Sequence, residues 1–323
     1  MIDVTALGEL LIDFTCTGTD ADGYPSMAAH PGGAPANFLA AVSKFGGKTA
    51  LLGKVGADAF GRLLTGTLQR AGIDTRGILT SEDVFTTLAF VTLDETGNRE
   101  FSFARKPGAD TQLRFEELDL SLIDEAKVFH FGTLSLTDEP ARSATQKAVR
   151  YAKEHGKLIS FDPNLRKPLW NDPEEAKKQM LWGLSQADVV KISDEEVEFL
   201  LALEPAQGAE YLLGNFGVKL AFVTCGPDGC LFRNRRASGH VDSLKNIRPA
   251  DTTGAGDIFG GSAMSRFLAL GKRPDALSIA EMTEIVRFAC CAASLSTQTH
   301  GGISSVVPVE QVLACVKETY TSR

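Results

Sequence analysis

The sequence predicts an α/β fold in which a doubly wound, mainly parallel sheet carries a small β-sheet lid, all within one domain over residues 1–323. Three observations carry that prediction. Short apolar runs recur at 128–131, 158–161, 189–192 and 220–224, and the first three are each followed by a stretch of helical character. Such strand-helix repeats build a parallel sheet covered on both faces. Two runs rich in Thr, Val and Phe, at 86–93 and 99–103, flank the turn sequence Asp94-Glu95-Thr96-Gly97-Asn98 and read as a β-hairpin that interrupts the alternation. Finally, Asp251-Thr252-Thr253-Gly254-Ala255-Gly256-Asp257 runs straight into the apolar Ile258-Phe259-Gly260-Gly261-Ser262-Ala263-Met264, a loop that opens a helix.

Taken in order, Val4-Thr5-Ala6-Leu7-Gly8 is a short strand, which Glu9-Leu10-Leu11-Ile12-Asp13-Phe14 continues. Residues 15–31 are rich in Thr, Asp, Gly and Pro and read as a loop with a short strand near 27–29. After Gly32-Gly33 a helix is expected over 35–45, because Pro35 is well tolerated in a first turn. A strand at 50–55 and a helix at 60–71 follow. The lid is then built from two insertions, near 13–32 and 85–106; the alternative for the second is an edge hairpin of the main sheet.

At 323 residues the chain exceeds the size at which a single core usually stops growing, which allows a large body with a smaller appendage. A net charge of −8 argues against nucleic acid as a partner, since binding its backbone needs clustered Lys and Arg. The N-terminus shows no basic segment followed by an apolar one, and no run approaches a membrane span, so a soluble, cytoplasmic protein with no membrane partner is expected. The six cysteines, at 16, 225, 230, 290, 291 and 315, form no CxxC pair and no metal spacing with the histidines, and read as reduced thiols. A GxxxxGK[ST] phosphate loop, the protein-kinase motifs and a GxSxG elbow are all absent.

The chemistry therefore falls to the 251–257 loop. Two glycines bracket an alanine at a helix start, so open amides and the positive end of the helix dipole favour a bound phosphate. Asp257 at the same turn suits a general base, the alternative being a helix cap. In open α/β sheets ligands bind beyond the carboxyl ends of the strands. That rule points Asp162-Pro163-Asn164-Leu165-Arg166, Lys191 with Ser193 and Glu196, and Thr224 with Gly226 at one site. The guanidinium fork of Arg166 suits the oxygens of a transferring phosphoryl group. Glu196 also reads as an acidic first helical turn, and Asp13 as a strand-end carboxylate.

The 251–257 segment resembles the C-terminal signature of the PfkB, or ribokinase-like, family of sugar kinases. A second signature stands upstream as Gly32-Gly33-Ala34-Pro35-Ala36-Asn37, with Gly46 and Gly56 at the family's spacing; Leu39 and Ser262 depart from it only at packing positions. The resemblance runs from Gly8 to about Pro308. It implies a ribokinase-like fold and transfer of the γ-phosphoryl group of ATP, with Mg²⁺, to a hydroxymethyl group of a small sugar. Asp257 would be the base, with the amides of Gly254, Ala255 and Gly256 and the side chain of Arg166 meeting the charge. Asp13, Gly33, Asn37 and Arg105 would bind the sugar. Lys191, Ser193, Thr224, Gly226 and Gly229 would meet the nucleotide, with Cys225 an extra residue in the family's Thr-Gly-x-x-Gly turn. Glu196 would hold Mg²⁺ through water, although Ser193 replaces the family's Asn. Asp251, Thr253 and Ser305 would hold K⁺, and lids that pair in relatives imply a homodimer. The segments at 8–13, 32–37, 105–110 and 162–166 are more similar to those of fructokinases than of ribokinases or adenosine kinases. They imply phosphorylation of D-fructose at O6, with 2-keto-3-deoxygluconate as the runner-up substrate and a catalytically silent sugar-binding regulator as the non-enzyme alternative.

Overall fold

In the computed structural model, which describes residues 1–93 and 99–320, the strands divide between two sheets. In chain order they are β1 (Ile2–Leu7), β2 (Leu11–Thr19), β3 (Pro25–Gly32), β4 (Thr49–Gly56), β5 (Ile73–Asp74), β6 (Ile78–Ser81), β7 (Leu88–Leu93), β8 (Arg99–Ala104), β9 (Ala126–Gly132), β10 (Leu158–Asp162), β11 (Val189–Ser193), β12 (Leu220–Thr224), β13 (Cys230–Asn234) and β14 (Ser238–Val241). Among the described residues the main sheet has the order β14-β13-β12-β11-β10-β9-β1-β4-β5, with β6 beside β4. It is parallel except for β13 and β14. From β1 the chain moves to β4 on one side and later to β9 on the other, so the order reverses there and a crevice opens beyond the carboxyl ends.

The apolar runs form strands because both of their faces are covered. Val128, Val189, Leu220 and Phe222 pack on the side of the helices Ala34–Lys44, Ala255–Ala269 and Ile279–Ser296. Their neighbours Phe129, Val190, Ala221 and Val223 pack on the side of the helices Ala141–Glu154, Pro173–Gln186 and Pro205–Asn215. Phe129, Phe131 and Phe161 are fully buried, and each such side chain contributes about 1.5–3 kcal/mol.

The lid is a second sheet in the order β3-β2-β7-β8. On one face Phe14 stacks on Phe90, with ring centroids 5.3 Å apart, and meets the ring of Phe60 edge-on from the helix Ala59–Arg70. Side chains alternate along a strand, so this packing turns Asp13 to the opposite face. Asp13 stands opposite His30 of β3 and Ala89 of β7. The body is tied to the hairpin by Asp58, which caps the helix Ala59–Arg70 through Phe60 N and Gly61 N and also accepts from Thr86 N.

Two expectations are corrected. Residues 9–14 do not continue β1: the chain leaves the main sheet at Gly8, where a Cβ would lie 2.6 Å from Pro35 Cγ, and Leu11 begins the lid. Residues 15–31 are not a loop but most of the β2–β3 hairpin, whose exposed tip explains its polar composition. The hairpin expected at 86–103 forms as β7 and β8, while the turn Asp94-Glu95-Thr96-Gly97-Asn98 lies outside the described residues. The first two helices each begin and end one residue before their expected bounds. The short β5 and β6 and the antiparallel pair β13–β14 carry no periodic signal long enough to have been read.

Candidate active site

The loop ahead of the helix Ala255–Ala269 has the geometry its glycines demand. Gly254, the N-cap, sits at φ 77°, the left-handed region, and a Cβ there would stand 3.0 Å from Asn37 Nδ2. Among the described residues no side chain caps this helix. The amide of Ala255 donates to Thr252 O at a long 3.3 Å, so an anion here would be met chiefly by Gly254 and Gly256.

Asp257, in the first turn, is buried, and Asn37 Nδ2 donates to its Oδ2 at 2.9 Å. Burial raises the Asp257 carboxyl above the usual carboxylate range, while the Asn37 hydrogen bond and the charges of Lys191 and Arg166 restrain it. Asn37, expected at the sugar, is therefore first a partner of Asp257. Its Oδ1 is buried without a hydrogen-bond partner, an acceptor still to be satisfied. Gly302 makes room for this amide, since a Cβ there would lie 2.1 Å from Asn37 Oδ1.

The strand ends converge as expected. Asp162, the last residue of β10, is buried and pairs with Lys191 Nζ at 3.1 Å from neighbouring β11. Arg166 follows β10, with its nearest hydrogen bond, 3.3 Å, to the carbonyl of Leu165, and its charge bears on both Asp13 and Asp257. Between them Asn164 takes a left-handed φ of 48°. Glu196 lies in the first helical turn and completes a capping box with Ser193: its Oε2 accepts from Ser193 N at 2.9 Å while Ser193 Oγ accepts from Glu196 N at 3.1 Å. Its Oε1 accepts from Leu165 N at 2.7 Å, so this carboxylate fixes the backbone that presents Arg166. Thr224 ends β12, and Gly226 and Gly229 form the turn into β13, both at positive φ. At Gly229 a Cβ would lie 2.1 Å from Val241 O.

Opposite, the lid supplies Asp13. Its carboxylate lies over Gly32, where a Cβ would be 2.3 Å from Oδ2, and Gly33, at φ 115°, has Glu9 O where its Cβ would stand. Burial, with Asp251 and Asp257 adding to it, raises the Asp13 carboxyl to about 7 against the pull of Arg166. Asp13, Arg166 and Asp257 thus share one cleft. His30, paired with Asp13 in the lid register, carries a buried Nε2 without a partner. No sequence motif marked it, because its place depends on strand pairing.

Arg105, expected at the sugar, has its donors engaged within the protein. It is buried, and its guanidinium is taken up by Asp110 Oδ2 at 2.7 and 2.8 Å, by Thr137 Oγ1 at 2.7 Å and by Leu134 O at 2.8 Å. It fastens the end of β8 to the loop after β9 rather than projecting into the cleft as a free cation. Buried Glu9 lies in the same network: it accepts from Ala34 N at 2.8 Å, and burial raises its carboxyl to about 7 despite the charge of Arg105.

Asp251 is buried, accepts from Thr253 N at 2.9 Å and from Gly301 N at 3.1 Å, and so joins the anion loop to the 299–305 loop. Ser305 is buried on that second loop and donates to Gly302 O at 2.8 Å.

A buried carboxylate on one side of a cleft, open amides and cations beside it, and a lid carboxylate across it are the kinds of group that phosphorylation of a hydroxyl uses. The comparisons agree. The family model described as pfkB family carbohydrate kinase matches residues 1–309. The chain is 41% identical over 322 residues to the probable fructokinase-3 of Arabidopsis thaliana, covering 98% of this chain and 91% of that one. It superposes on the fructokinase of Xylella fastidiosa with bound ATP at a TM-score of 0.89 and 31% identity, covering 98% of this chain and 99% of that one. A double mutant of the fructokinase of Vibrio cholerae O395, in its fructose, ADP and potassium ion bound form, matches at 0.86 and 30% identity, with 98% of each chain covered. The chain belongs to the pfkB family of carbohydrate kinases.

Proposed function

We propose that this kinase transfers the γ-phosphoryl group of ATP to O6 of D-fructose. The observation that carries the reading is Asp257 held by Asn37 at an uncapped helix N-terminus, with Arg166 bearing on it and Asp13 across the cleft. That the relatives are named fructokinases supports the choice of sugar.

Asp257 takes the proton of the O6 hydroxyl as the O6–P bond forms. The bond from the γ-phosphorus to its bridging oxygen breaks, and ADP leaves with that electron pair. The amides of Gly254 and Gly256 and the guanidinium of Arg166 meet charge on the phosphoryl oxygens. The sugar is oriented from the lid by Asp13, with Gly33 leaving room for it and the orphan Oδ1 of Asn37 accepting from a hydroxyl. Ser193, Thr224, Gly226 and Gly229 lie at the carboxyl ends of β11 and β12, where the nucleotide would lie.

Among the described residues no three His, Cys, Asp or Glu converge on a metal position; Mg²⁺ would enter with the phosphates of ATP and would neutralise their charge. Glu196, whose oxygens already accept from two amides, would meet such an ion through water. Asp251, Thr253 and Ser305 are the candidates for K⁺, and the lid edges β3 and β8 are the candidate surface of a homodimer, which light scattering at assay concentration tests. ATP consumption measured against fructose, ribose, 2-keto-3-deoxygluconate and nucleosides tests the activity. Fructose is expected to give the highest kcat/KM, and a clear preference for any of the others overturns the assignment of the sugar.

A further inference from the structure

We infer that Lys191 is a second cation for the transferring phosphoryl group, and that Asp162 is the positioning residue that aims it at the underside of the anion loop. Lys191 Nζ lies 3.1 and 3.3 Å from the two carboxylate oxygens of Asp162. Both side chains are nearly buried, 12% and 7% exposed. A Cβ on Gly256 would stand 2.9 Å from Nζ, so the ammonium lies against the backbone beside the base. An ammonium has three N–H groups, and the two carboxylate oxygens of Asp162 accept from Nζ, so a third N–H has no protein partner among the described residues.

Stability does not explain the pair, because a buried ion pair usually gains no more than apolar residues of the same volume. The local charge does. Lys191 faces Asp162 at the end of β10, Glu196 on the helix Asp194–Leu201 and Asp257 on the helix Ala255–Ala269. The other titratable groups that feel it, His130 of β9 and Cys230 of β13, are buried and neutral: burial holds the His130 imidazole down at about 3 and pushes the Cys230 thiol up. Three carboxylates against Lys191 and Arg166 leave the floor of the cleft with one net negative charge. Without Lys191 that floor would carry two, directly beneath an incoming phosphoryl group, and Coulomb repulsion in a partly desolvated site is strong. Lys191 therefore acts on the phosphoryl group rather than on the nucleotide generally, and Gly256 is glycine in part so that the ammonium can approach.

The inference rests on the kinase reading, so wild-type turnover of fructose with ATP is measured beside every variant. Lys191→Met should lower kcat about 100-fold, as loss of one preorganised charge-stabilising group does, and Lys191→Arg should recover part of it. KM for fructose and the Kd of ADP should stay within about threefold, whereas binding of ADP with aluminium fluoride and fructose should weaken in step with kcat. Lys191→Met alone strands the Asp162 carboxylate, so the double variant Lys191→Met/Asp162→Asn is measured too. Its thermal midpoint should return towards wild type while its kcat stays low. A double variant with near-normal kcat, or one whose ADP affinity falls as far as kcat, overturns the inference and leaves the kinase reading standing. A wild type inactive on fructose overturns the reading and this inference with it.

Discussion

Asn37 Nδ2 donates to Asp257 Oδ2 at 2.9 Å, joining two helices whose paired residues lie 220 positions apart in the chain. The bond stabilises the charged carboxylate against a burial that opposes it. Asn37→Ala should therefore raise the Asp257 carboxyl further. The base works only when ionised, so the acid limb of kcat should move to higher pH. A kcat–pH profile superposable on wild type would show that Asn37 serves only the sugar.

Replacing Asp257 itself should give the larger effect. Asp257→Asn should lower kcat by roughly 10²–10⁴-fold, the range for losing a positioned general base, while ATP and fructose still bind. Near-normal turnover in that variant, measured with coupled ADP release, would remove Asp257 from the chemistry.

How much of this was legible follows from where each residue's partners sit. The anion loop could be read because its glycines, Asp257 and the helix behind them are contiguous. The strand-end groups could be read because a parallel sheet delivers every carboxyl end to one edge. The engagement of Arg105 is not legible because two of its partners, Leu134 and Thr137, come from the loop after β9, roughly thirty residues on, and only pairing of the tertiary elements reveals that its donors are used. The pairing of Asn37 with Asp257 was invisible for the same reason. The lid hairpin at 15–31 was read as a loop because its polar, glycine-containing strands reach an exposed tip and never acquire a second covered face.

Arg105 should accordingly behave as an anchor. Its side chain and that of Asp110 are each 3% exposed, and Arg105→Met would leave the Asp110 carboxylate buried without its cation. Losing one partner of such a pair costs about 3–5 kcal/mol, so the variant should unfold at a distinctly lower denaturant midpoint. If stability holds and only KM for fructose rises, the arginine reaches the sugar after all.

The Asp251 bridge bears on a monovalent cation. Asp251 ties Thr253 to Gly301, and Ser305 is buried on the same second loop, so a K⁺ ion bound there would fix the shape of the anion loop without touching substrate. Titrating K⁺ into an assay free of sodium and ammonium should raise kcat to saturation. Asp251→Asn should weaken that response, and a flat titration in wild type would leave Asp251 as a turn-former only.

In the proposed reading, sugar selectivity turns on the charge of Asp13. As a carboxylate it accepts hydrogen bonds from vicinal hydroxyls, which fructose supplies, and repels the carboxylate of 2-keto-3-deoxygluconate. Burial and the nearby Asp251 and Asp257 raise its carboxyl to about 7 against the pull of Arg166. The sign of the pH dependence follows: below that value Asp13 is protonated, loses acceptor capacity and no longer repels an acid. KM for fructose should therefore rise as pH falls through about 7, and the preference for fructose over the acid should narrow over the same interval. Asp13→Asn should remove that pH dependence, weaken fructose binding at every pH and lessen the bias against the acid. Measured as kcat/KM for both sugars between pH 5.5 and 8.5, a span of about 1.5 units on each side of the Asp13 value, the ratio decides the assignment. If wild type prefers the acid, or if Asp13→Asn leaves fructose use untouched, the lid carboxylate does not select the sugar.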